Sequence, residues 1–360
     1  MDKIKLFCIC IIFTYFYESF VYEMKLEPFI NLLSIDSSSG KERRLAEYLS
    51  YAFSTARCNT SSFEVGDNSL NLYFSWGQPR IVFCTHLDTV PPFIPPRIVT
   101  QADNELWIFG RGSCDAKGQI YAMYTACVEL EEAGCTDFGL LLVSGEETGS
   151  HGAKQVRNQI PPCEYLVIGE PTDNKMVSAC KGTKAFEVTI LGQSAHSGYP
   201  EHGISSILRF NDWLNQLQAI KFPDDPLLGP TTWNIGCLHS NNAQNILSDC
   251  VRFRIYFRTT FASDEMVQTT MASFQNDFIK IQAYGGDTPA RYHTLEGFPT
   301  KTVAFGNDAP HLPGYQHKII CGPGSILVAH TQDEAIRWKD IRQAADLYKE
   351  IYYQTQTRHS

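Results

Sequence analysis

The stretch IVFCTHLDTVPP, residues 81–92, runs through a nearly unbroken apolar segment and then turns polar at His86 and Asp88. A short apolar run without alternation is the pattern of a strand covered on both faces. A histidine and an aspartate at its far end stand where open α/β sheets hold ligands, beyond the carboxyl ends of the strands. Two further runs read the same way. Phe138–Val143 leads into Gly145, Glu146 and Glu147, and Tyr165–Ile168 leads into Glu170. Between the 81–92 stretch and Phe138, the residues Ile120, Met123, Tyr124, Cys127 and Val128 recur at helical spacing, so a helix begins near Gly118, just after Asp115 in GRGSCDAKGQ. Near the C-terminus, GPGSILVAHTQDE carries His330 and reads as one more strand ending at that residue.

Strands separated by helices predict an α/β domain, a mostly parallel sheet flanked by helices. In such a sheet His86, Asp115, Glu146, Glu147, Glu170 and His330 converge on one edge although they are far apart in the chain. From about Ala179 the texture changes. KAFEVTILG and DCVRFRIYFRTT alternate polar and apolar residues as half-exposed antiparallel strands do, with helical stretches at Ile204–Ile220 and Asp264–Phe278. Residues 179–290 are therefore expected to form a small inserted α+β domain. Residues 24–178 and 291–360 form the catalytic domain, closed by a helix from Asp340 to about Tyr352.

Composition excludes several classes. The chain has 360 residues, 43% hydrophobic and 19% charged, with no low-complexity tract. Its 30 basic and 39 acidic residues give a net charge of −9 and no basic stripe, so nucleic acid is an unsuitable partner. The 12 cysteines are scattered without a C-x-x-C pair, which reads as small buried hydrophobes in a reducing compartment rather than a disulfide framework. Residues 1–23 imitate a signal peptide, with Lys3 and Lys5 before an apolar core. No small-x-small cleavage site follows, and the run is short for a membrane span. A start assigned too far upstream, with Met24 as the natural beginning, is favoured over an export signal, and no membrane association is expected.

The side-chain inventory is that of a two-metal hydrolase: two imidazoles, several carboxylates and one carboxylate able to bridge. An isolated histidine at a strand end is ordinarily a surface or capping residue; the ordered set carries the metal reading. The ordered motifs H-x-D, G-x-x-D-x-K-G, G-E-E, G-E-P-T and A-H-x-x-D-E, running from about Met24 to the end, resemble the zinc aminoacylase and carboxypeptidase family. That family includes acetylornithine deacetylase, succinyl-diaminopimelate desuccinylase and glutamate carboxypeptidase. The resemblance implies that His86, Asp115 and Glu170 hold one zinc, and that Asp115, Glu147 and His330 hold a second. It makes Glu146 the general base and Asp88 the group that fixes the His86 tautomer. It implies two Zn2+ per subunit, with Co2+ as a substitute. In GQSAHSGYP it makes His196 a residue that reaches the active site of a partner subunit, which makes the inserted domain a lid and dimerisation unit, and it places Asn245 and Arg258 against the substrate oxyanion and carboxylate.

Cys114 departs from the small apolar residue that the family often has before the bridging aspartate, and packing is the expected role of its thiol. Asp308 and His311 are left open between support behind the ligands and an ordinary loop. His151, His202, His239, His293, His317 and His359 read as structural or surface residues.

The expectation is a homodimeric, cytoplasmic, zinc-dependent amidohydrolase that removes the acyl group from an N-acyl amino acid, with N-acetylornithine or a close relative as the leading substrate. A carboxypeptidase or dipeptidase using the same metals is the rival enzyme. A regulatory metal-binding homologue without catalysis is the rival of another class, and an intact Glu146 beside a full ligand set argues against it.

Overall fold

The computed structural model describes residues 26–357 apart from Asp103. The signal-like stretch 1–23 and His359 lie outside the described residues. The chain divides into two compact units. One takes residues through Met176, His293–Thr300 and Asn307 onward; the other takes Val177–Tyr292 and Lys301–Gly306. The second unit overlaps the segment 179–290 and adds the excursion Lys301–Gly306. That excursion is tied in by the backbone bond from Lys181 N to Val303 O at 3.0 Å, a long-range pairing that no local periodicity reports.

The first unit is built on a six-stranded sheet in the order Asn59–Gly66, Ser69–Gly77, Asp137–Val143, Ile81–His86, Tyr165–Ile168, His317–Ile320. The last four strands run parallel, and the first two add an antiparallel edge. Every residue of Ile81–His86 and of Tyr165–Ile168 is buried, as their unbroken apolar runs require. Helix Lys117–Glu132 buries Ile120, Met123, Ala126, Cys127 and Leu130 and packs on the closing helix Trp338–Thr357 and on the sheet. It ends in a Schellman turn: Gly134, at φ +85°, donates to Glu131 O at 2.9 Å, and Cys135 donates to Leu130 O at 3.0 Å. Its start needs Gly118, where a Cβ would lie 2.4 Å from Ser113 O. The aromatic pairs Trp76–Phe138 (4.6 Å) and Phe83–Tyr348 (5.6 Å) each contribute roughly 0.5–1.5 kcal/mol beyond the area they bury.

The second unit carries an antiparallel sheet in the order Thr232–His239, Cys250–Thr259, Gly182–Leu191, Ile279–Gly285. Alternate residues of Cys250–Thr259 are buried. Phe253, Ile255 and Phe257 pack with Trp213 and Leu217 of helix Ser206–Ala219 and with Val267 and Met271 of helix Asp264–Ser273. That second helix stops short of the expected Phe278, because the Asn276 side chain accepts the amides of Phe278 and Ile279 at 2.9 and 3.0 Å and turns the chain.

The expected strand ending at His330 is corrected. The sheet strand here is His317–Ile320, and the apolar run after Gly322-Pro323-Gly324 is a succession of turns. Val328 N bonds to Ser325 O and Thr331 N to Val328 O, and Leu327 is 84% exposed. Proline has no amide to offer a ladder, and Gly324 at φ +80° bends the chain out of the sheet.

Candidate metal centre

His86 closes its strand with both ring nitrogens engaged. Nδ1 lies 2.9 Å from the main-chain oxygen of Asp88, and Nε2 lies 3.0 Å from Asp115 Oδ1. The first contact fixes the tautomer and leaves Nε2 to face the centre. The Asp88 carboxylate is fully buried and mainly does something else. It accepts the amides of Glu146 (3.0 Å) and Glu147 (3.1 Å) and the hydroxyl of Ser39 (2.8 Å), while its contact with His86 Nδ1 is the longer one at 3.4 Å. One acid therefore orients both glutamates as they leave the sheet.

Gly145, at φ +71°, makes the turn between strand and glutamates. Glu147 Oε1 then meets His330 Nε2 at 2.8 Å, and that nitrogen is also 3.4 Å from Asp115 Oδ2. The ring is half-exposed on a backbone at φ +64°, a region that residues other than glycine seldom occupy. Ligand atoms of His86, Asp115 and Glu147 all lie within 4.8 Å of one another, a group able to hold a metal ion.

Glu170 is buried close by, where the charges of Asp115, Glu146 and His86 act on it. Burial pushes the Glu146 and Glu170 carboxyls well above the usual range, and the neighbouring acids add to this. Asp308 is buried here too, with one carboxyl oxygen unpartnered; burial raises it to about 6 against the opposing effect of His86 and a bond from Ser150. Burial disfavours the charged form of His86, but hydrogen bonds and charge from Asp115 and Asp88 outweigh it and hold the imidazolium well above its ordinary range. Hydrogen bonds to Asp115 and Glu147 push His330 up to about 10. Asp115 resists burial through its bonds to His330 and His86 and stays well below the usual carboxylate value. Six carboxyls (Asp88, Asp115, Glu146, Glu147, Glu170 and Asp308) thus surround two imidazoles. That excess of carboxyl groups over basic ones, with oxygen and imidazole donors converging, fits divalent cations such as zinc.

Several supporting residues were not singled out by motif reading. Glu334 accepts from the amides of Gly112 (3.0 Å), Cys114 (3.1 Å) and Asp115 (3.0 Å) through Oε1, and from Arg111 Nη1 (2.6 Å) through Oε2. Lys117 is buried, donates to Ile35 O, and is brought down by burial to about 7. Both lie inside the quoted motifs, so charge within an otherwise buried segment was the available signal. Cys114 is buried with Sγ 3.4 Å from Ser325 O, and burial pushes its thiol well up, so it packs and donates there.

His196, Asn245 and Arg258 belong to the second unit. His196 is exposed, bridges to Ile246, and accepts the Gly198 amide on Nδ1 at 3.1 Å; Ser197 N donates to Asn245 O at 2.9 Å, so these two loops abut. Arg258 lies in strand Cys250–Thr259 opposite Thr183, half-buried, with its guanidinium carbon 4.9 Å from the Tyr256 ring centre.

Comparison with known proteins follows the same lines. The model of peptidase family M20/M25/M40 matches residues 82–354. A peptidase M20 domain-containing protein of Schizosaccharomyces pombe is 31% identical over 89% of this chain and 82% of its own. A probable carboxypeptidase of Aspergillus flavus is 32% identical over 90% and 86%. Among solved structures, a tripeptidase of Staphylococcus aureus superposes with a TM-score of 0.75 at 21% identity, over 91% of this chain and 96% of that one.

Proposed function

The chain belongs to peptidase family M20/M25/M40 and is a hydrolase of amide bonds, and on that premise we propose that it is a two-metal peptidase releasing the C-terminal residue of small peptides. The observation that carries this reading is the convergence of His86, Asp115 and Glu147 within ligand distance of one another, with the Glu146 carboxyl beside them making no side-chain hydrogen bond among the described residues. In the proposal His86, Asp115 and Glu170 would hold one zinc, and Asp115, Glu147 and His330 would hold the other. Bound there, the ions supply Lewis-acid polarisation of the amide and an activated water near neutrality.

The remaining chemistry falls to side chains. Glu146 takes a proton from the attacking water and delivers it to the departing nitrogen, which its unpartnered carboxyl leaves it free to do. Asp88, through the two glutamate amides, fixes the backbone that carries Glu146 and Glu147. His196 and Asn245 meet the negative charge that develops on the carbonyl oxygen, and Arg258 receives the substrate carboxylate in a planar fork. The curated relatives named as probable carboxypeptidases favour peptide substrates. Removal of an acyl group from an N-acyl amino acid such as N-acetylornithine needs the same machinery, and the motifs shared with acetylornithine deacetylase support it as the second reading.

We also propose a homodimer through the second unit, cytoplasmic in location. Tyr199, Ile207, Leu208, Leu238 and Ile246 are all exposed there, Leu208 at 67%, with Leu238 on the edge strand Thr232–His239, Ile207 and Leu208 on helix Ser206–Ala219, and Tyr199 and Ile246 in loops. All ten described cysteines are free, which supports a reducing compartment. Among the described residues no helix is long and apolar enough to cross a membrane. Hydrolysis of a panel of dipeptides, tripeptides, N-acetyl and N-succinyl amino acids, before and after chelation and zinc addition, tests the function. Turnover of none of these by the zinc-loaded protein would refute it, and a strict preference for the acylated amino acids would favour the second reading.

A further inference from the structure

We infer that Glu334, braced by Arg111, is a positioning residue that sets the spacing of Asp115 and His330, two of the three groups that would hold the second metal. The inference rests on the metal reading above. Glu334 Oε1 gathers three amides of one loop, those of Gly112, Cys114 and Asp115, at 3.0–3.1 Å. Successive amides aimed at one oxygen form a concavity for an anion, and here the chain supplies its own. Because the Asp115 amide is one of the three, any shift of Glu334 shifts the Asp115 backbone.

The other end of the brace reaches His330. Arg111, 1% exposed, bonds through Nη1 both to Glu334 Oε2 at 2.6 Å and to the main-chain oxygen of Thr331 at 3.1 Å, the residue after His330. Its Nε reaches Pro92 O at 3.3 Å, on the loop that follows Asp88. Glu334 is itself anchored by the ladder: Gly110 N donates to its carbonyl at 3.0 Å, and Ala335 pairs with Phe109 in the next position. One buried ion pair thus links the segments carrying His86, Asp115 and His330. A pair with no task beyond stability would have no need to take three amides beside one ligand and a carbonyl beside another.

The test measures zinc affinity and stability separately. Glu334→Gln keeps an oxygen for the three amides; Glu334→Leu keeps the approximate volume and offers none. Zinc affinity, by competition with a chromophoric chelator, is expected to fall about 10–100-fold in Glu334→Leu, the usual effect of removing a group behind a ligand, and to be partly rescued in Glu334→Gln, which keeps the acceptor for the amides but turns an NH2 toward Arg111. Leu45→Ala, a core cavity on helix Arg43–Ala52, is the control: it lowers the urea midpoint and should bind zinc as wild type does. Arg111→Lys, which keeps the charge and loses the fork, decides the matter if Glu334→Leu does not fold, and should weaken zinc about 10-fold. Wild-type affinity in Glu334→Leu, or in Arg111→Lys where the former is unfolded, overturns the inference, as does an equal zinc loss in Leu45→Ala. Failure of the wild-type chain itself to bind zinc would instead refute the metal reading on which the inference depends.

Discussion

Glu146→Gln separates catalysis from metal binding and from stability in one substitution. Glu146 is anchored by its backbone: its amide donates to Asp88 Oδ1 at 3.0 Å, and its carbonyl accepts the amides of Gly149 at 2.9 Å and Ser150 at 3.1 Å. None of these bonds involves the carboxyl, so glutamine can keep the backbone in place. The carboxyl shares its pocket with Asp115, Glu147, Glu170 and Asp308, and burial together with these acids already disfavours its charge. Removing the charge therefore relieves repulsion, and the urea midpoint of the metal-free protein should hold or rise. Turnover should fall by about 10²–10⁴, the range for general acid–base catalysis, or about 2.7–5.4 kcal/mol on the barrier at roughly 1.36 kcal/mol per decade. The assay is steady-state hydrolysis of the best panel substrate beside elemental analysis of zinc and a urea titration of the apo form. Loss of zinc from the variant would show that the roles of Glu146 and Glu147 are exchanged, and turnover within about tenfold of wild type would remove Glu146 from proton transfer.

Asp115→Ala should abolish activity and lower zinc content together, because Asp115 lies against both His86 and His330; retention of two zinc ions per chain by elemental analysis would contradict a bridging role. Zinc affinity should rise with pH. Bonds to neighbouring carboxylates raise both imidazoles, His330 up to about 10, and burial raises the Glu170 carboxyl, so each of these ligands would give up a proton on binding and the apparent affinity should rise by more than about tenfold per pH unit below those values. Calorimetric titrations from pH 6 to 8 in buffers of different ionisation enthalpy would read those protons, and a flat profile would count against ligation by both rings. Arg258→Lys should raise KM about 10–100-fold for substrates with a free carboxylate and less for their amides, in line with a lost charge-assisted hydrogen bond; equal effects on acid and amide would reject it. Inactive His196→Ala and Glu146→Ala homodimers, unfolded, mixed equally and refolded, should recover about a quarter of wild-type activity if His196 serves the partner's site. No recovery, with subunit exchange confirmed, would place His196 in its own chain's site or in none.

The catalytic sheet was legible because a doubly covered strand must be apolar at every position: Ile81–Thr85, Phe138–Val143 and Tyr165–Ile168 have no alternative burial pattern. The residues at their ends were legible for the same reason, since a charged group directly after such a run has to stand at the sheet edge. His330 was misread as a strand terminus because SILVA is as apolar as a strand. Only the Gly322-Pro323-Gly324 break upstream says otherwise, and Leu327 stands in solvent. The second unit's helix after Asp264 was overextended because the Asn276 side-chain turn is a local polar contest that apolar spacing does not report.

The sequence by itself determined the α/β class, the alternating strands of the inserted segment and the chemical inventory, because periodicity and side-chain type are local properties. Only the tertiary structure decided how that inventory is arranged. Asp88 proved to hold the amides of Glu146 and Glu147 more closely than it holds the His86 ring, and Glu334 to bind the loop of Asp115 across more than two hundred residues of chain. Such contacts depend on which buried amides lack a partner once the strands have paired. That accounting is closed by the folded backbone, not by the order of residues along it.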